Sequence, residues 1–220
     1  MPTPPMPPLL IRPLGQVDYT ATWQAMQDFT TARTPDTPDE IWLVEHPPVF
    51  TLGMAGKREH LLADVGIPVV PIDRGGQVTY HGPGQVVAYL LLDLRRRGYG
   101  VRELVRRLEQ AVIDLLAELG LNAQRLEGAP GVYVPRPDGS PAKIAALGLR
   151  VKHGCTYHGL ALNVDLDLAP FQAINPCGYA GMAVTRLADL VPGIGMEAAQ
   201  DGLIRHLLAH LGESPRADQG

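Results

Sequence analysis

A chain of 220 residues, 45% hydrophobic and 19% charged, is long enough to bury one sizeable core without cross-links. Its net charge of −4 argues against a general nucleic-acid binder, and two cysteines are too few for a disulfide framework or a four-cysteine zinc site. Lysine is scarce: of the 19 basic residues only Lys57, Lys143 and Lys152 are not arginine.

The proline-rich start cannot form a helix and lacks the basic and then apolar segments of a signal peptide. A flexible tail is expected over 1–10, a single domain over 11–212 and a polar tail over 213–220. Asp18 is a candidate N-cap for a helix to Arg33, with Trp23, Met26 and Phe29 on one face. Ile41 to Val44 predicts a strand that ends at His46-Pro47-Pro48 and resumes from Val49 to Leu52. Val69 to Asp73 predicts another, which runs into a glycine-rich segment. Gln85 to Leu94 is a nearly continuous apolar run, as in a strand buried on both faces.

Val101 to Leu119 predicts a helix with Leu104, Leu108, Val112, Leu115 and Leu119 at three- and four-residue steps, ended by Gly120. Strands are expected at 131–134, 143–152 and 156–164, with turns at 135–141 and His153-Gly154-Cys155. Met196 to Leu211 predicts the closing helix. Strands outnumber helices and arrive in adjacent pairs, so the expected fold class is α+β with a mixed or largely antiparallel sheet. No apolar stretch is long enough to span a bilayer, and no 20–50-residue repeat is present. A cytoplasmic protein with reduced thiols is expected.

Five segments carry candidate chemistry. Arg74 to Gln85 holds four glycines, which lets the backbone approach a ligand closely, although a hairpin turn would also use them. It matches neither a Walker A loop nor a dinucleotide fingerprint. Lys143 opens an apolar strand, where a lysine either snorkels at an edge or is buried and working. Cys177 lies between Pro176 and Gly178, on a turn; it reads either as incidental or as reactive, and Cys155 is also placed in a turn. His158 reads as a hydrogen-bonded structural histidine, a base or a ligand, and His206 and His210 lack the glutamate of HExxH. Arg95, Arg96, Arg97, Arg102, Arg106 and Arg107 form a run that is either a solvated face or a docking patch for an acidic partner.

Together the segments Arg74–Gln85, Ala129-Pro-Gly-Val-Tyr133, Lys143-Ile-Ala-Ala-Leu-Gly148, Tyr157-His-Gly-Leu-Ala-Leu-Asn163 and Asn175-Pro-Cys-Gly178 resemble the octanoyltransferase family of lipoate biosynthesis. The resemblance covers about residues 40–190, five motifs in one order. It implies a mixed β-sheet flanked by helices, similar to the catalytic domain of biotin and lipoate protein ligases. It also implies transfer of an octanoyl group from acyl carrier protein to a lysine of lipoyl domains, those of 2-oxoacid dehydrogenase complexes and the glycine cleavage H protein. No ATP, metal, nucleic acid or membrane is implied, and a monomer is expected.

By the same resemblance Cys177 is the nucleophile that carries the acyl thioester, and Lys143 lowers its pKa and exchanges protons. The acyl pocket is implied to be walled by Arg74, Gly75, Gly76, Gln77, Val78, Thr79, Tyr80 and His81. Ala146, Leu147, Gly148, Gly159, Leu160 and Ala161 complete it. Backbone N–H groups near Leu147–Gly148 or Cys177–Gly178 are candidates for an oxyanion hole. The rival readings are an ATP-dependent lipoate or biotin ligase on the same fold, and a non-catalytic acyl- or carrier-binding module.

Overall fold

A computed structural model describes residues 8–178 and 181–212, apart from the side chain of Cys177. The expected tails at 1–10 and 213–220 lie outside them, save for residues 8–10. The described chain runs β1 (Leu10–Gln16), α1 (Tyr19–Ala32), β2 (Glu40–Glu45), β3 (Val49–Leu52), β4 (Val69–Pro71), β5 (Val78–His81) and β6 (Gln85–Leu91). It continues through α2 (Leu94–Arg97), α3 (Val101–Glu118), β7 (Gln124–Leu126), β8 (Ala129–Pro135), β9 (Pro141–Lys152) and β10 (Cys155–Asn163). β11 (Ala183–Val184) and α4 (Met196–Leu211) complete it.

The larger sheet has the order β1-β2-β6-β10-β9-β8-β7, with β11 added beside β9. β1 runs parallel to β2 and β11 parallel to β9. The other neighbours are antiparallel, so the sheet is mixed, as expected. A smaller sheet, β4-β3-β5, stands apart. The strand expected to resume at Val49 therefore does not continue β2; the chain passes His46-Pro47-Pro48 and enters the second sheet. β1 escapes the pattern reading because Arg12, Pro13 and Gly15 break its alternation, and β5 lies inside the glycine-rich segment Arg74–Gln85. Cys155 is not in the turn but opens β10, opposite Lys152. The turn is His153 and Gly154, with φ of 51° and 82°, the pair of left-handed residues that a two-residue hairpin needs.

β6 is buried along its whole length. Val86, Ala88 and Leu90 pack with Leu104, Leu108 and Leu115 of α3 and Leu203 and Leu207 of α4. Val87, Tyr89 and Leu91 face Met26, Trp23 and Phe29 of α1. Each fully buried leucine contributes about 1.5–3 kcal/mol of apolar burial, so this two-sided core anchors the sheet. α1 starts where expected, with Asp18 Oδ1 accepting the Ala21 N–H at 2.8 Å.

The arginine run is partly engaged within the fold. Arg96 and Arg97, joined by Arg33, close on the buried carboxylate of Asp39. Burial pushes that carboxyl up, but Arg97, the Asp93 N–H and Arg96 outweigh it and hold it below its ordinary value. Arg106 and Arg107 both pair with Glu103. His206 and His210 join α4 to α3 through Glu118 and Asp114, at 2.8 and 2.6 Å. Among the described residues no helix is long and apolar enough to cross a membrane.

Candidate active site

A cavity of about 360 Å³ opens where β5 and the segment before it lie across β9 and β10. Its floor is made of small residues on neighbouring strands: Ala146 opposite Ala161, and Gly148 opposite Gly159. Gly159 has to be glycine, since a Cβ there would sit 1.9 Å from the Ala88 carbonyl oxygen. The strap above is Arg74 to Thr79. Arg74 is spent on holding it: Nη2 donates to Thr51 O, Thr51 Oγ1 and Gln77 O, and Nη1 to Gly75 O. The Gly75 N–H binds Leu149 O at 3.0 Å, which ties the strap to the β9 edge that β8 leaves uncovered.

All of the expected wall residues except Tyr80 line this cavity: Arg74, Gly75, Gly76, Gln77, Val78, Thr79, His81, Ala146, Leu147, Gly148, Gly159, Leu160 and Ala161. Strand alternation turns Tyr80 the other way, against Phe50 and Phe171. Ala129, Pro130 and His158, which lie in quoted motifs without being expected in the wall, also line it, and Tyr19, Val87, Tyr89, Val101, Val105 and Gly128, which no motif marks, complete it. These unmarked residues come from elements brought in by packing, and no local signal sets them apart.

One side of the cavity is polar but neutral. His46 Nδ1 donates to Val17 O at 2.8 Å, so its Nε2 accepts from the Tyr89 hydroxyl at 2.6 Å. His81 Nδ1 meets Gln85 Oε1 at 2.7 Å, while Gln85 Nε2 donates to Asn163 Oδ1 and Tyr80 O. Burial lowers His46, and burial followed by the neighbouring His46 pushes His81 down to about 3. The rings therefore stay uncharged near neutral pH.

His158 holds a left-handed backbone, φ 61°, inside β10, a conformation that costs a non-glycine residue about 1–2 kcal/mol. It places the ring against the cavity and its Nε2 3.0 Å from Asp73 Oδ1. Trp23 Nε1 donates to the same oxygen at 2.9 Å, and the Tyr157 hydroxyl donates to the other. Burial pushes the Asp73 carboxyl up, but these three donors outweigh it and hold it far below its ordinary value. A carboxylate only accepts, so the His158 proton sits on Nε2.

Lys143 is buried, 3% exposed, and its Nζ donates to Pro130 O at 3.1 Å, beside the Tyr133 ring. Pro130 lines the cavity, so Lys143 Nζ stands against the back of its wall. Cys177 falls in the 3₁₀ turn Pro176–Gly178, and its side chain lies outside the described residues. The turn is held by Asn175, whose N–H binds His60 O at 2.9 Å, and a Cβ on Gly178 would lie 3.3 Å from Gln77 Cγ. The turn thus abuts the strap. Seven residues after Cys177, Val184 pairs with Lys143, so connectivity keeps the two backbones within about 30 Å. Burial pushes the other thiol, Cys155, up and away from reactivity.

The same architecture is found in solved ligases. A bipartite lipoate protein ligase of Thermoplasma acidophilum superposes with a TM-score of 0.75 at 19% identity, over 97% of this chain and 87% of that one. A biotin protein ligase of Aquifex aeolicus does so at 0.56 and 11%, over 92% and 70%. The fold is therefore that of the lipoate and biotin protein ligase catalytic domains. The family model described as the lipoyl protein ligase A/B catalytic domain matches residues 18–208. An octanoyltransferase of Thiobacillus denitrificans is 72% identical over 186 residues, 84% of this chain and 83% of that protein. Another, of Dechloromonas aromatica, is 64% identical over 206 residues, 94% and 98%. The chain belongs to this lipoyl ligase family and, within it, to the octanoyltransferases, which are acyltransferases.

Proposed function

We propose that this chain moves an octanoyl group from octanoyl-acyl carrier protein to the ε-amine of a lysine on a lipoyl domain, through a thioester on Cys177. The acceptors are the lipoyl domains of 2-oxoacid dehydrogenase complexes and the glycine cleavage H protein. The observation that carries the reading is a cavity floored by Ala146, Gly148, Gly159 and Ala161, with the Lys143 ammonium behind one wall and the Cys177 turn against its strap. Small residues leave room for an eight-carbon chain, and each buried methylene contributes about 0.8 kcal/mol.

The donor thioester is already activated, so no nucleotide or metal enters. The Cys177 thiolate attacks the thioester carbonyl, and the carrier's phosphopantetheine thiol leaves and takes up a proton. The acceptor amine then attacks the acyl-cysteine, the Cys177 thiol leaves, and the amide keeps the acyl group. A free cysteine with a pKa of about 8.5 is mostly thiol at neutral pH. Lys143 addresses this as an ammonium that stabilises the thiolate and as an amine that accepts a proton. Two separate displacements let two bulky carrier proteins visit in turn, so a monomer in the cytoplasm suffices. The test is incubation with octanoyl-carrier protein and a lipoyl domain without nucleotide. Transfer is expected, and a requirement for ATP would return the chain to the ligase reading.

A further inference from the structure

α3 carries one acid on its buried side. Glu109 is 6% exposed and sits beside Leu108 in an otherwise apolar stripe. Its Oε1 accepts the Gly131 N–H at 3.0 Å, and its Oε2 accepts Arg125 Nε at 3.0 Å. The Gly131 N–H and the Pro130 carbonyl belong to one peptide group, and that carbonyl accepts Lys143 Nζ at 3.1 Å. The contacts form an unbroken chain from the Arg125 guanidinium through the Glu109 carboxylate and one peptide to the Lys143 ammonium.

We propose that Glu109 is a positioning residue for Lys143, acting through the Pro130–Gly131 peptide. A carboxylate bound to the N–H side of a peptide polarises it and makes its carbonyl a stronger acceptor. The ammonium is thereby held in one place and in its charged form. Gly131 is shaped for this: its φ is 133°, and a Cβ there would lie 2.6 Å from Ala145 O and 3.2 Å from Lys143 Cε. Any side chain at 131 would push the peptide and the lysine apart. Among the described residues, Glu109 on α3 and Lys143 on β9 bind this peptide, Tyr133 on β8 lies against the Lys143 Nζ, and Arg125 on β7 pairs with Glu109. The side chain of Cys177 lies outside the described residues.

This inference rests on the proposed role of Lys143, so its test reads the lysine directly. The chain has three lysines, and ¹⁵N-lysine labelling of the full protein gives three Nζ signals, with Lys143 assigned by its loss in Lys143→Ala. Glu109→Gln keeps an acceptor for Gly131 but removes the charge. Its Lys143 titration midpoint is expected to fall by about one pH unit, with Lys57 and Lys152 unmoved. Arg125→Met removes the counter-charge and is expected to move Lys143 upward. An unmoved Lys143 in Glu109→Gln, or a fall in both variants as a loosened strand would give, overturns the proposal. Normal octanoyl transfer by Lys143→Ala would overturn the role of Lys143 itself, and with it Glu109 as a residue of the reaction.

Discussion

The Asp73 carboxylate accepts the Nε2–H of His158 at 3.0 Å, joining the residue before the glycine-rich strap to the left-handed residue of β10. Strap and floor are thus tied together by a charge-assisted bond at one end of the cavity. Trp23 on α1 and Tyr157 on β10 share the same carboxylate. Asp73→Asn removes the charge and leaves at least one of these donors poorly paired. It is expected to cost about 1–3 kcal/mol of stability, read by urea denaturation. A midpoint equal to wild type would mean that the pair does not hold the strap.

The buried histidines predict acid lability. His46, His81 and His158 each titrate below the ordinary histidine value in the folded protein, burial being the first cause every time. The unfolded chain takes up these protons near pH 6.5 and the folded chain only further down, for His81 at about 3. Their contribution is complete above pH 6.5 and drains away as the pH falls toward 3. At pH 5 His81 alone accounts for a loss of about 2 kcal/mol. Unfolding free energies at pH 7.5 and pH 5 should differ less in His81→Gln than in wild type; equal differences would assign the acid sensitivity elsewhere.

The floor glycines separate fold from function. A Cβ on Gly159 would overlap Ala88 O, so Gly159→Ala is expected to lose several kcal/mol and fail to accumulate as folded protein. A Cβ on Gly148 would lie 2.9 Å from Gly75 O and 3.2 Å from Arg74 Cδ, atoms of the strap. Gly148→Ala is therefore expected to fold, to lift the strap, and to raise the KM for octanoyl-carrier protein about tenfold, a loss of about 1.4 kcal/mol. An unchanged KM would show that the strap does not bound the acyl site.

Much of this architecture is legible in the sequence where periodicity speaks. α3 and α4 are apolar stripes with clear ends, and β6 is an apolar run; they lie within a residue or a few of their expected bounds. The larger misses have physical causes. β1 carries arginine, proline and glycine, and gains its order from parallel pairing with β2. Glu109 is one acid in an apolar stripe, visible as an exception only once its partners on β7 and β8 are known. Asp73 adjoins a motif without belonging to it, and Tyr19 and Tyr89 meet at the cavity, with His46 against both, only through packing of α1 and β6.

The arginine run narrows as a docking candidate. With Arg96 and Arg97 engaged on Asp39 and Arg106 and Arg107 on Glu103, Arg95 and Arg102 remain as exposed members outside those pairs. Arg102 follows Val101, which lines the cavity. Arg102→Glu is expected to raise the KM for an acidic carrier protein several-fold and to weaken its salt dependence, with kcat unchanged. A KM and salt slope equal to wild type would make the residue a solvated surface group.

The proposed transfer turns on the covalent step at Cys177. Intact-protein mass spectrometry after mixing with octanoyl-carrier protein, without nucleotide or acceptor, tests it most directly. The protein is expected to gain one octanoyl group, mapped to Cys177 by peptide analysis, absent in Cys177→Ser and discharged when a lipoyl domain is added. A protein that transfers octanoyl groups but never gains that mass, or gains it on Cys155, would contradict the account.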